Sequence, residues 1–460
     1  MQKSARAGVC SEFRGVMLGD ARRESRLRVL ADALATRPSA SFPTATKTDA
    51  ALEAAYRFLG NSAVSMDAIL AGHYAQTVER AAQEDLVLAL HDTTEFEFSG
   101  ESDRGLGPLR GNGQGFFSHF SLLVTSSELR RPLGVLNVEN IVRPKKSQER
   151  SAVPGQTLEA TRWRRAVAAV EERIAGRTKV VHVMDREGDS YDLWANLSTS
   201  DYCFVIRNSK ERLLEDGVSF SDVIASGETL VEREVYLTRR KQDKVVFNRK
   251  RHPARAGRLA RLALSAQTIE IRRPPNCLRT LPATLTINFV HVREVGTNGS
   301  EAPVEWTLAT TESIATAADV ERIVDIYRAR WVIEEYFKSL KTGCAFEKRQ
   351  LESERSIFNA LAIFVPIAWQ LLLLRSLSRD RQDAPASEAL TPILLEVLSA
   401  NARKKLSPNP TVREAMLAIA GLGGHIKNNG DPGWLVLGRG YEFLLILEQG
   451  WLAAKRSDQS

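Results

Sequence analysis

The chain has 460 residues, which is long for one hydrophobic core and favours two or three domains. Its composition, 43% hydrophobic and 26% charged, excludes a fibrous or disordered chain. The formal net charge of +7 at pH 7 allows a polyanionic partner without requiring one.

The first 75 residues contain no convincing strand and predict an all-α segment. Asp20 is a candidate N-cap for a helix with three leucines at core spacing: Leu27, Leu30 and Leu34. Three arginines occupy another face of the same helix: Arg22, Arg23 and Arg26. Two more helices are predicted at residues 48–59 and 65–83. A helical cap and a DNA-binding module fit this pattern equally well.

From residue 85 the pattern changes to mixed strands and helices. Buried strands are predicted at residues 85–90, 119–126, 133–142, 178–185 and 202–209, and helices at residues 157–174 and 191–197. The order is β-β-β-α-β-α-β, with Asp92 ending the first strand and Asp185 ending the fourth. A turn or cap role is open for both aspartates.

Residues 220–300 predict an irregular, strand-rich region, with clear strands at 285–295 and, after it, at 306–312. This region holds a basic run, residues 239–261, with ten basic residues and one acid. As a solvated surface the run would repel itself, so a phosphate backbone is the better neighbour.

No segment predicts a membrane protein. The longest uncharged run, Ser356 to Leu374, has 19 residues but is interrupted by polar residues and proline, so we interpret it as a buried core helix. The N-terminus has no apolar signal sequence, and the four cysteines contain no CxxC pair. We therefore expect a soluble, cytoplasmic protein with no membrane partner. After Pro408 a last helical segment is predicted, interrupted by glycines.

The stretch DIYRARWVIEEYFKSLK, residues 325–341, predicts one helix with an unusual polar stripe. At about 100° per residue, four side chains share an arc of about 60°: Tyr327, Arg330, Glu334 and Lys341. The neighbouring Glu335 lies on a different face. Such a mixed stripe is either a solvated surface or a functional site.

Three carboxylates at strand ends and on this helix form a candidate metal site: Asp92, Asp185 and Glu334. Mg²⁺ prefers hard oxygen ligands and retains several waters, so one or two carboxylates per ion and substrate phosphates complete its shell. Two ions about 3.5–4 Å apart stabilise both oxygens of an in-line phosphoryl displacement. Arg330 and Lys341 would then hold phosphates, which explains the mixed stripe.

The order of these three acidic residues along the chain resembles that of the ribonuclease-H-like DDE recombinases. YRARWVIEEYFKSLK, with Y-x2-R-x3-E-x6-K spacing, is similar to the YREK signature of a subgroup of bacterial insertion-sequence transposases, which cut and paste through a DNA hairpin. The resemblance covers nearly the whole chain, because other blocks of the group occur in the same order: LGDARRESR, AAYRFLGN, DTTE, DREGD, FVIR and KTGCAFEKRQLE.

The resemblance implies an α/β fold in three parts. An all-α domain at residues 1–75 would recognise DNA ends. A ribonuclease-H-like catalytic domain at residues 76–377, with a mixed five-stranded sheet flanked by helices, would contain the β-rich insertion at about 220–300. A helical domain at residues 378–460 would dimerise.

The resemblance also implies roles for single residues. Asp92, Asp185 and Glu334 would be the catalytic triad and bind two Mg²⁺ ions, for which Mn²⁺ can substitute. Three residues would contact phosphates near the cleaved end: Tyr327, Arg330 and Lys341. Lys338 is a further DNA-binding candidate.

The remaining DNA contacts implied by the resemblance lie elsewhere in the chain. Arg207 matches a DNA-contacting arginine. Trp306 matches a tryptophan that receives a flipped-out base, although a core aromatic at a strand start is the simpler alternative. Arg23 and Arg26 match residues that read the transposon end.

The function implied is DNA transposition. A homodimer would bind double-stranded transposon ends and target DNA in the bacterial nucleoid, then excise and integrate the element. A non-catalytic end-binding regulator and a structure-specific nuclease on the same fold are the alternatives.

Overall fold

The computed structural model describes residues 9–46, 48–100, 103–110, 113–144, 158–215, 217–237, 254, 256–296, 303–380, 382–426 and 431–457. They form two compact units: unit 1 comprises Met1–Lys179 and Trp331–Ser460, and unit 2 comprises Val180–Arg330. The boundaries predicted for three domains remain predictions.

Unit 1 begins with four helices: α1 (Ala21–Thr36), α2 (Phe42–Ala45), α3 (Asp49–Gly60) and α4 (Met66–Ala81). Polar side chains cap them, because the first N–H groups of a helix have no partner within it. The Asp20 carboxylate accepts a hydrogen bond from the Arg22 N–H at 2.8 Å, as predicted. The three leucines predicted for the core of α1 are buried.

Four strands follow in unit 1: β1 (Leu86–Phe98), β2 (Gly107–Pro108), β3 (Gln114–Thr125) and β4 (Pro132–Ile141). β3 pairs antiparallel with β1, β2 and β4. Helices α4 and α5 (Leu158–Ile174) pack on β4. β1 is longer than predicted because its second half alternates, with Phe96 and Phe98 buried and Glu97 exposed.

In unit 2, the described residues form a mixed sheet and several α-helices. The strands are β5 (Lys179–Met184), β6 (Cys203–Asn208), β7 (Thr229–Leu237), β8 (Arg258–Arg272), β9 (Thr284–Val295) and β10 (Glu305–Thr310). The helices are α6 (Tyr191–Thr199), α7 (Phe220–Ala225) and α8 (Ala317–Ala329). β5 and β6 are parallel, and the order continues antiparallel as β6-β10-β9-β8-β7.

The strands of the β-rich insertion belong to the same sheet as β5 and β6. The five predicted strands correspond to β1, β3, β4, β5 and β6. β10 pairs with β6 on one side and with β9 on the other, so the strands of the insertion extend the sheet of unit 2.

Most of the predicted basic run lies outside the described residues, namely positions 239–253 and 255. Two of its described arginines form ion pairs within the insertion. Arg258 contacts Glu294 at 2.9 Å, and Arg261 contacts Glu232. These two guanidinium groups neutralise acids of the sheet, which the sequence did not predict.

The second part of unit 1 is helical: α9 (Trp331–Lys338), a π-helical turn (Ser339–Gly343), α10 (Glu354–Asp380), α11 (Pro392–Asn401), α12 (Val412–Leu422) and α13 (Trp434–Ser457). α10 is long and apolar enough to span a membrane, but 83% of its apolar window is buried inside the protein. It packs on α3, α4 and β4, as expected for a core helix.

The last helices enclose a hydrophobic cluster of their own, which includes Leu374, Leu398, Ile419 and Leu444. α12 and α13 approach closely at Gly440, where a Cβ atom would lie 1.8 Å from the Ile419 carbonyl oxygen. Only glycine fits there. The predicted fold class, mixed α/β with helical parts at both ends, is confirmed.

Candidate functional site

Asp92 lies in the middle of β1, opposite Phe120 of β3. The prediction that Asp92 ends the first strand is therefore wrong, because the alternating residues after it keep the strand paired with β3. Its carboxylate is half-buried, and Oδ1 accepts a hydrogen bond from the N–H of Thr93 at 2.7 Å.

The side chain of the next residue, Thr93, joins a polar cluster. Its hydroxyl lies 2.8 Å from Nδ1 of His119 and accepts a hydrogen bond from Nε of Arg162 at 3.0 Å. His119 is fully buried, and burial together with the charges of Arg162 and Arg165 holds its pKa well below the ordinary value. A lowered pKa favours the neutral form of this histidine. Successive side chains of a strand point to opposite faces, so this cluster belongs to the face opposite Asp92.

Asp185 directly follows β5, as predicted, and caps a short 3₁₀ turn, Arg186–Gly188. Its Oδ1 accepts a hydrogen bond from the Glu187 N–H at 2.8 Å. Burial raises the pKa of this carboxyl above its ordinary value, although the Glu187 N–H and the positive charge of Arg330 act in the opposite direction. A partly buried carboxylate whose charge is this poorly compensated fits a cation ligand.

The predicted single helix over residues 325–341 is not continuous. α8 ends at Ala329, the N–H of Arg330 bonds the carbonyl of Tyr327 at 3.1 Å, and α9 begins at Trp331. This i→i+3 bond is tighter than an α-helical bond. The arc of about 60° computed for one straight helix therefore does not describe these residues.

In unit 2, the buried Tyr327 packs on the half-buried Trp306, with ring centroids 5.9 Å apart. Trp306 is the second residue of β10 and lies opposite Val292 of β9. On the other side of β10, Arg207 of β6 lies opposite Leu308. Trp306 therefore lies at the start of a strand with part of its ring exposed, and both its predicted DNA role and its role as a core aromatic remain predictions.

The two adjacent glutamates of α9 differ in their surroundings. Glu335 accepts hydrogen bonds from Nζ of Lys338 at 2.8 Å and Nε1 of Trp434 at 3.1 Å, and it lies 3.5 Å from Arg375. Burial disfavours its charge, but these partners outweigh burial and lower its pKa. Glu335 therefore connects α9 to α10 and α13.

Lys341 lies in the π-helical turn, where the Cys344 N–H bonds the Ser339 carbonyl five residues earlier at 2.8 Å. Nζ of Lys341 donates to the carbonyl oxygen of Glu95 and lies 3.5 Å from Glu347. The α-helix on which the stripe was predicted therefore ends before Lys341, at Lys338.

Lys338 lies at the end of α9, and its side chain is 48% exposed. Besides Glu335, it contacts the ring of Trp331 at 5.3 Å, and Trp331 is itself exposed. A half-exposed ammonium on a long side chain beside an exposed aromatic is accessible to a phosphate.

The two arginines of α1 that are DNA-binding candidates, Arg23 and Arg26, are half-buried. Arg23 donates from Nη1 to the carbonyl oxygen of Leu18 at 2.9 Å. Arg26 lines a cavity of about 240 Å³ that Arg37 and Gln449 also line. The third arginine, Arg22, is 92% exposed and pairs with Asp20.

Buried charged groups that were not predicted from the sequence include an ion pair and a single arginine. Asp189 pairs with Arg212 next to the Asp185 turn. Arg349 donates to three carbonyl oxygens, those of Pro38, Ala40 and Cys344. Asp189 is the last residue of the DREGD block and Arg349 lies in the KTGCAFEKRQLE block, so both stand in sequence blocks already singled out, whereas Arg212 lies in none of them.

Within the parts of the chain that the structure describes, no three His, Cys, Asp or Glu side chains form a compact metal-binding cluster. The predicted ligands are all carboxylates, the donor type that Mg²⁺ prefers. Together with the raised pKa of Asp185, this donor set is chemically suited to a divalent ion.

Comparison with known proteins gives two family matches. The family model "Transposase DNA-binding" matches residues 6–64, and "Transposase DDE domain" matches residues 138–366. Asp185 and Glu334 lie inside the second match, and Asp92 lies before it. Arg23 and Arg26 lie inside the first match.

Among solved structures, the chain is similar to a piggyBac transposase synaptic complex with hairpin DNA, determined by cryo-EM. The two chains are 12% identical, the match covers 83% of this chain and 73% of the other, and the TM-score is 0.38. This likeness is too weak to support a conclusion about function.

Proposed function

Because the chain belongs to the DDE transposases, we propose that it binds the inverted ends of an insertion sequence and moves the element by cut-and-paste. The order of the two family matches carries this proposal: a DNA-binding part precedes a DDE part in one chain. Excision needs both, since the ends must be recognised and then cut. The spacing of Tyr327, Arg330, Glu334 and Lys341 supports the YREK subgroup of bacterial insertion sequences and a cytoplasmic, nucleoid-bound protein.

DDE transposase domains use divalent metal ions, and we assign two Mg²⁺ ions, replaceable by Mn²⁺, to Asp92, Asp185 and Glu334. When bound, such ions stabilise the charge on the attacking and leaving oxygens of an in-line phosphoryl transfer. The chain supplies the anionic oxygens. The poorly compensated charge of Asp185 supports this assignment.

Cationic side chains hold the DNA backbone in this proposal. Arg330 and Lys341 bind phosphates near the cleaved end, and Tyr327 contributes its phenol. Lys338, which is half exposed, reaches a further phosphate. Charge-assisted contacts of this kind position the strand but do not read its sequence.

Sequence recognition and base handling fall to other residues. Arg23 and Arg26 of α1 read the transposon end, and Arg207 contacts DNA beside the cleaved strand. Trp306 receives the base that is flipped out when the hairpin forms. Its half-buried ring, already packed on Tyr327, offers a stacking surface.

The reaction sequence consists of four in-line phosphoryl transfers. Water attacks the phosphate at the transposon end and releases a 3′-hydroxyl. This hydroxyl attacks the opposite strand and forms a hairpin, which a second water opens. The 3′-hydroxyl finally attacks target DNA. In a homodimer, each protomer would act on the end that its partner binds, as the subgroup resemblance implies.

The test uses a linear DNA fragment that carries the short inverted repeats flanking the gene. The protein is incubated with it in Mg²⁺ or in EDTA, and the products are separated on native and denaturing gels. We expect metal-dependent excision with a hairpin on the released end. A shifted complex that is never cut would identify a regulator, and cutting without joining to a target would identify a nuclease.

A further inference from the structure

The turn that carries Asp185 is closed by its own hydrogen bonds. The Gly188 N–H bonds the Asp185 carbonyl at 3.0 Å, and the Asp189 N–H bonds the Arg186 carbonyl at 3.3 Å. A Cβ atom on Gly188 would lie 2.9 Å from Cβ of Met184, so only glycine fits the turn without displacing β5. The closed turn therefore fixes the position in space of Asp189 relative to Asp185.

The carboxylate of Asp189 is fully buried and reaches beyond this turn. Its Oδ2 accepts hydrogen bonds from the N–H of Ser209 at 2.6 Å and from the Ser209 hydroxyl at 3.1 Å. Its carbonyl oxygen accepts a third from Nζ of Lys210 at 2.7 Å. One residue thus holds the segment after β5 against the segment after β6, and β6 carries Arg207.

Arg212 neutralises the Asp189 carboxylate from the same segment. It forms an ion pair with Asp189 and donates from Nε to Oδ1 of Asn208 at 3.0 Å. Its guanidinium stacks 3.9 Å above the ring of Trp194 in α6. Arg212 is itself buried, so water competes little for this pair.

A buried ion pair is a poor source of stability, because desolvating both charges opposes the gain from their attraction. The pair instead fixes the relative positions of the groups it joins, because its hydrogen bonds are directional and apolar contacts are not. Side chains that hold metal ligands in place commonly change metal affinity or activity about 10- to 100-fold when they are replaced.

We propose that Asp189 is a positioning residue for phosphoryl transfer. Tied to Ser209 and Arg212, it sets the direction of the Asp185 carboxylate relative to Arg207, so that metal and DNA phosphate are presented together. This inference rests on the proposed function, in which Asp185 is a metal ligand and Arg207 a DNA contact.

The test compares two replacements of the pair. Asp189→Asn leaves Arg212 buried without a counter-charge. The double variant Asp189→Leu with Arg212→Met fills the same space with apolar side chains and leaves no unpaired buried charge, and its Tm and circular dichroism spectrum establish that it is folded before metal uptake is compared. Glu294→Gln is the matched control, because Glu294 is a buried carboxylate of the same unit, bound by Arg258 through two 2.9 Å hydrogen bonds.

Two quantities are measured on the complex with a duplex carrying the terminal repeat. Mn²⁺ uptake is followed by the loss of the free-ion electron paramagnetic resonance signal, and cleavage is followed over a Mg²⁺ titration. We expect both midpoints to rise about 10-fold or more in the pair variants, with end binding in EDTA unchanged. The Glu294→Gln protein should keep the wild-type midpoints even if its Tm falls.

The outcomes separate this inference from the proposed function. If the wild-type complex takes up Mn²⁺ and the apolar pair takes it up at the same midpoint, Asp189 is only structural and the inference is wrong. If the wild-type complex takes up no Mn²⁺, the metal assignment of the proposed function fails, and the inference fails with it.

Discussion

The ammonium group of Lys341 donates a hydrogen bond to the carbonyl oxygen of Glu95, at the centre of the second half of β1. The sequence gives no hint of this contact, since the two residues are far apart in the chain. It means that Lys341 already has partners before DNA arrives, and that any phosphate contact must coexist with Glu95 or replace it.

Replacing Lys341 by alanine separates the two roles. If Lys341 binds a phosphate, the slope of log K against log salt concentration for end binding should fall by about 0.9. The measurement is a gel-shift titration at several salt concentrations. Lys455→Ala is the control, because Lys455 forms an exposed ion pair with Glu396 in the C-terminal helices. An unchanged slope with a lower Tm would assign Lys341 to the fold alone.

The adjacent glutamates of α9, Glu334 and Glu335, allow an effect on cleavage to be distinguished from an effect on stability. Glu334→Gln should retain end binding and lose cleavage by several orders of magnitude, because an amide cannot replace an anionic metal ligand. Cleavage is measured under single-turnover conditions with saturating Mg²⁺.

Glu335→Gln should show the opposite behaviour. It loses the ion pairs with Lys338 and Arg375 and should lower the free energy of unfolding by about 1–3 kcal/mol. Cleavage should persist at temperatures where the variant is folded. Full cutting by Glu334→Gln would remove that residue from the triad.

Asp185→Asn should stabilise the protein in the absence of metal. The folded-state pKa of Asp185 is raised, so between its ordinary pKa and the folded value the native state binds more protons than the unfolded state. Stability therefore falls as pH rises through this window, and the penalty persists at pH 7. The amide still caps the turn but carries no charge, so we expect a higher Tm at pH 7 in EDTA.

The same comparison in Mg²⁺ with end DNA checks the cause. Bound metal should stabilise the wild-type complex and leave the asparagine variant unchanged, which reverses the order of the two Tm values. A lower Tm of the variant in EDTA would show that the charge of Asp185 is already compensated within the protein.

A buried network in unit 1 predicts that the free energy of unfolding decreases as the pH falls into the acid range. Glu12 lies 2.5 Å from Nδ1 of His73 and 2.9 Å from Arg80, while Nε2 of His73 accepts the Val135 N–H at 3.0 Å. Burial opposes the charge of Glu12, but its partners lower the pKa from 4.5 to about 2. The unfolded state therefore binds more protons between these values.

This stability, about 3 kcal/mol, is present above pH 4.5 and lost as pH falls towards 2. Protonation of His73, whose pKa burial lowers, would also break its bond with Val135 at acid pH. Glu12→Gln should lower the stability at pH 7 and make the decrease at acid pH smaller in thermal unfolding scans. Glu79→Gln, at an exposed ion pair with Arg177, should follow the wild-type curve; a Glu12→Gln protein that does so too would exclude the network as the cause.

Trp306→Ala should impair hairpin formation more than the first nick. Base stacking on an aromatic ring contributes about 1–3 kcal/mol, so we expect a loss of roughly 5- to 150-fold in the hairpin step. Trp306→Phe keeps a stacking surface beside Tyr327 and should retain most of the rate. The fluorescence of 2-aminopurine near the transposon end reports the flipped base. Equal rates for nick and hairpin in Trp306→Ala would return Trp306 to the role of a packing residue.

Local patterns were sufficient for most of the secondary structure. Short apolar runs predicted β4, β5 and β6, and leucine spacing predicted α1, because both patterns depend only on the local sequence. The motif order was also readable, since it needs no knowledge of contacts, and the family matches confirm a DDE transposase.

Contacts between distant residues were beyond the reach of such patterns. The break at Arg330 and the π turn at Lys341 come from packing and hydrogen bonding in three dimensions, so a regular 100° per residue does not hold along the whole stretch. Asp92 lies within a strand because β3 pairs along its whole length.

Residue chemistry alone determined which side chains could bind metal or phosphate, because charge and donor type belong to each residue. Only the tertiary structure decided which charges are buried and with whom they pair. Asp189 and Arg212, 23 positions apart, meet because β5 and β6 are parallel neighbours. Burial strengthens such a pairing and penalises its loss, and burial is a property of the fold that no short stretch of sequence contains.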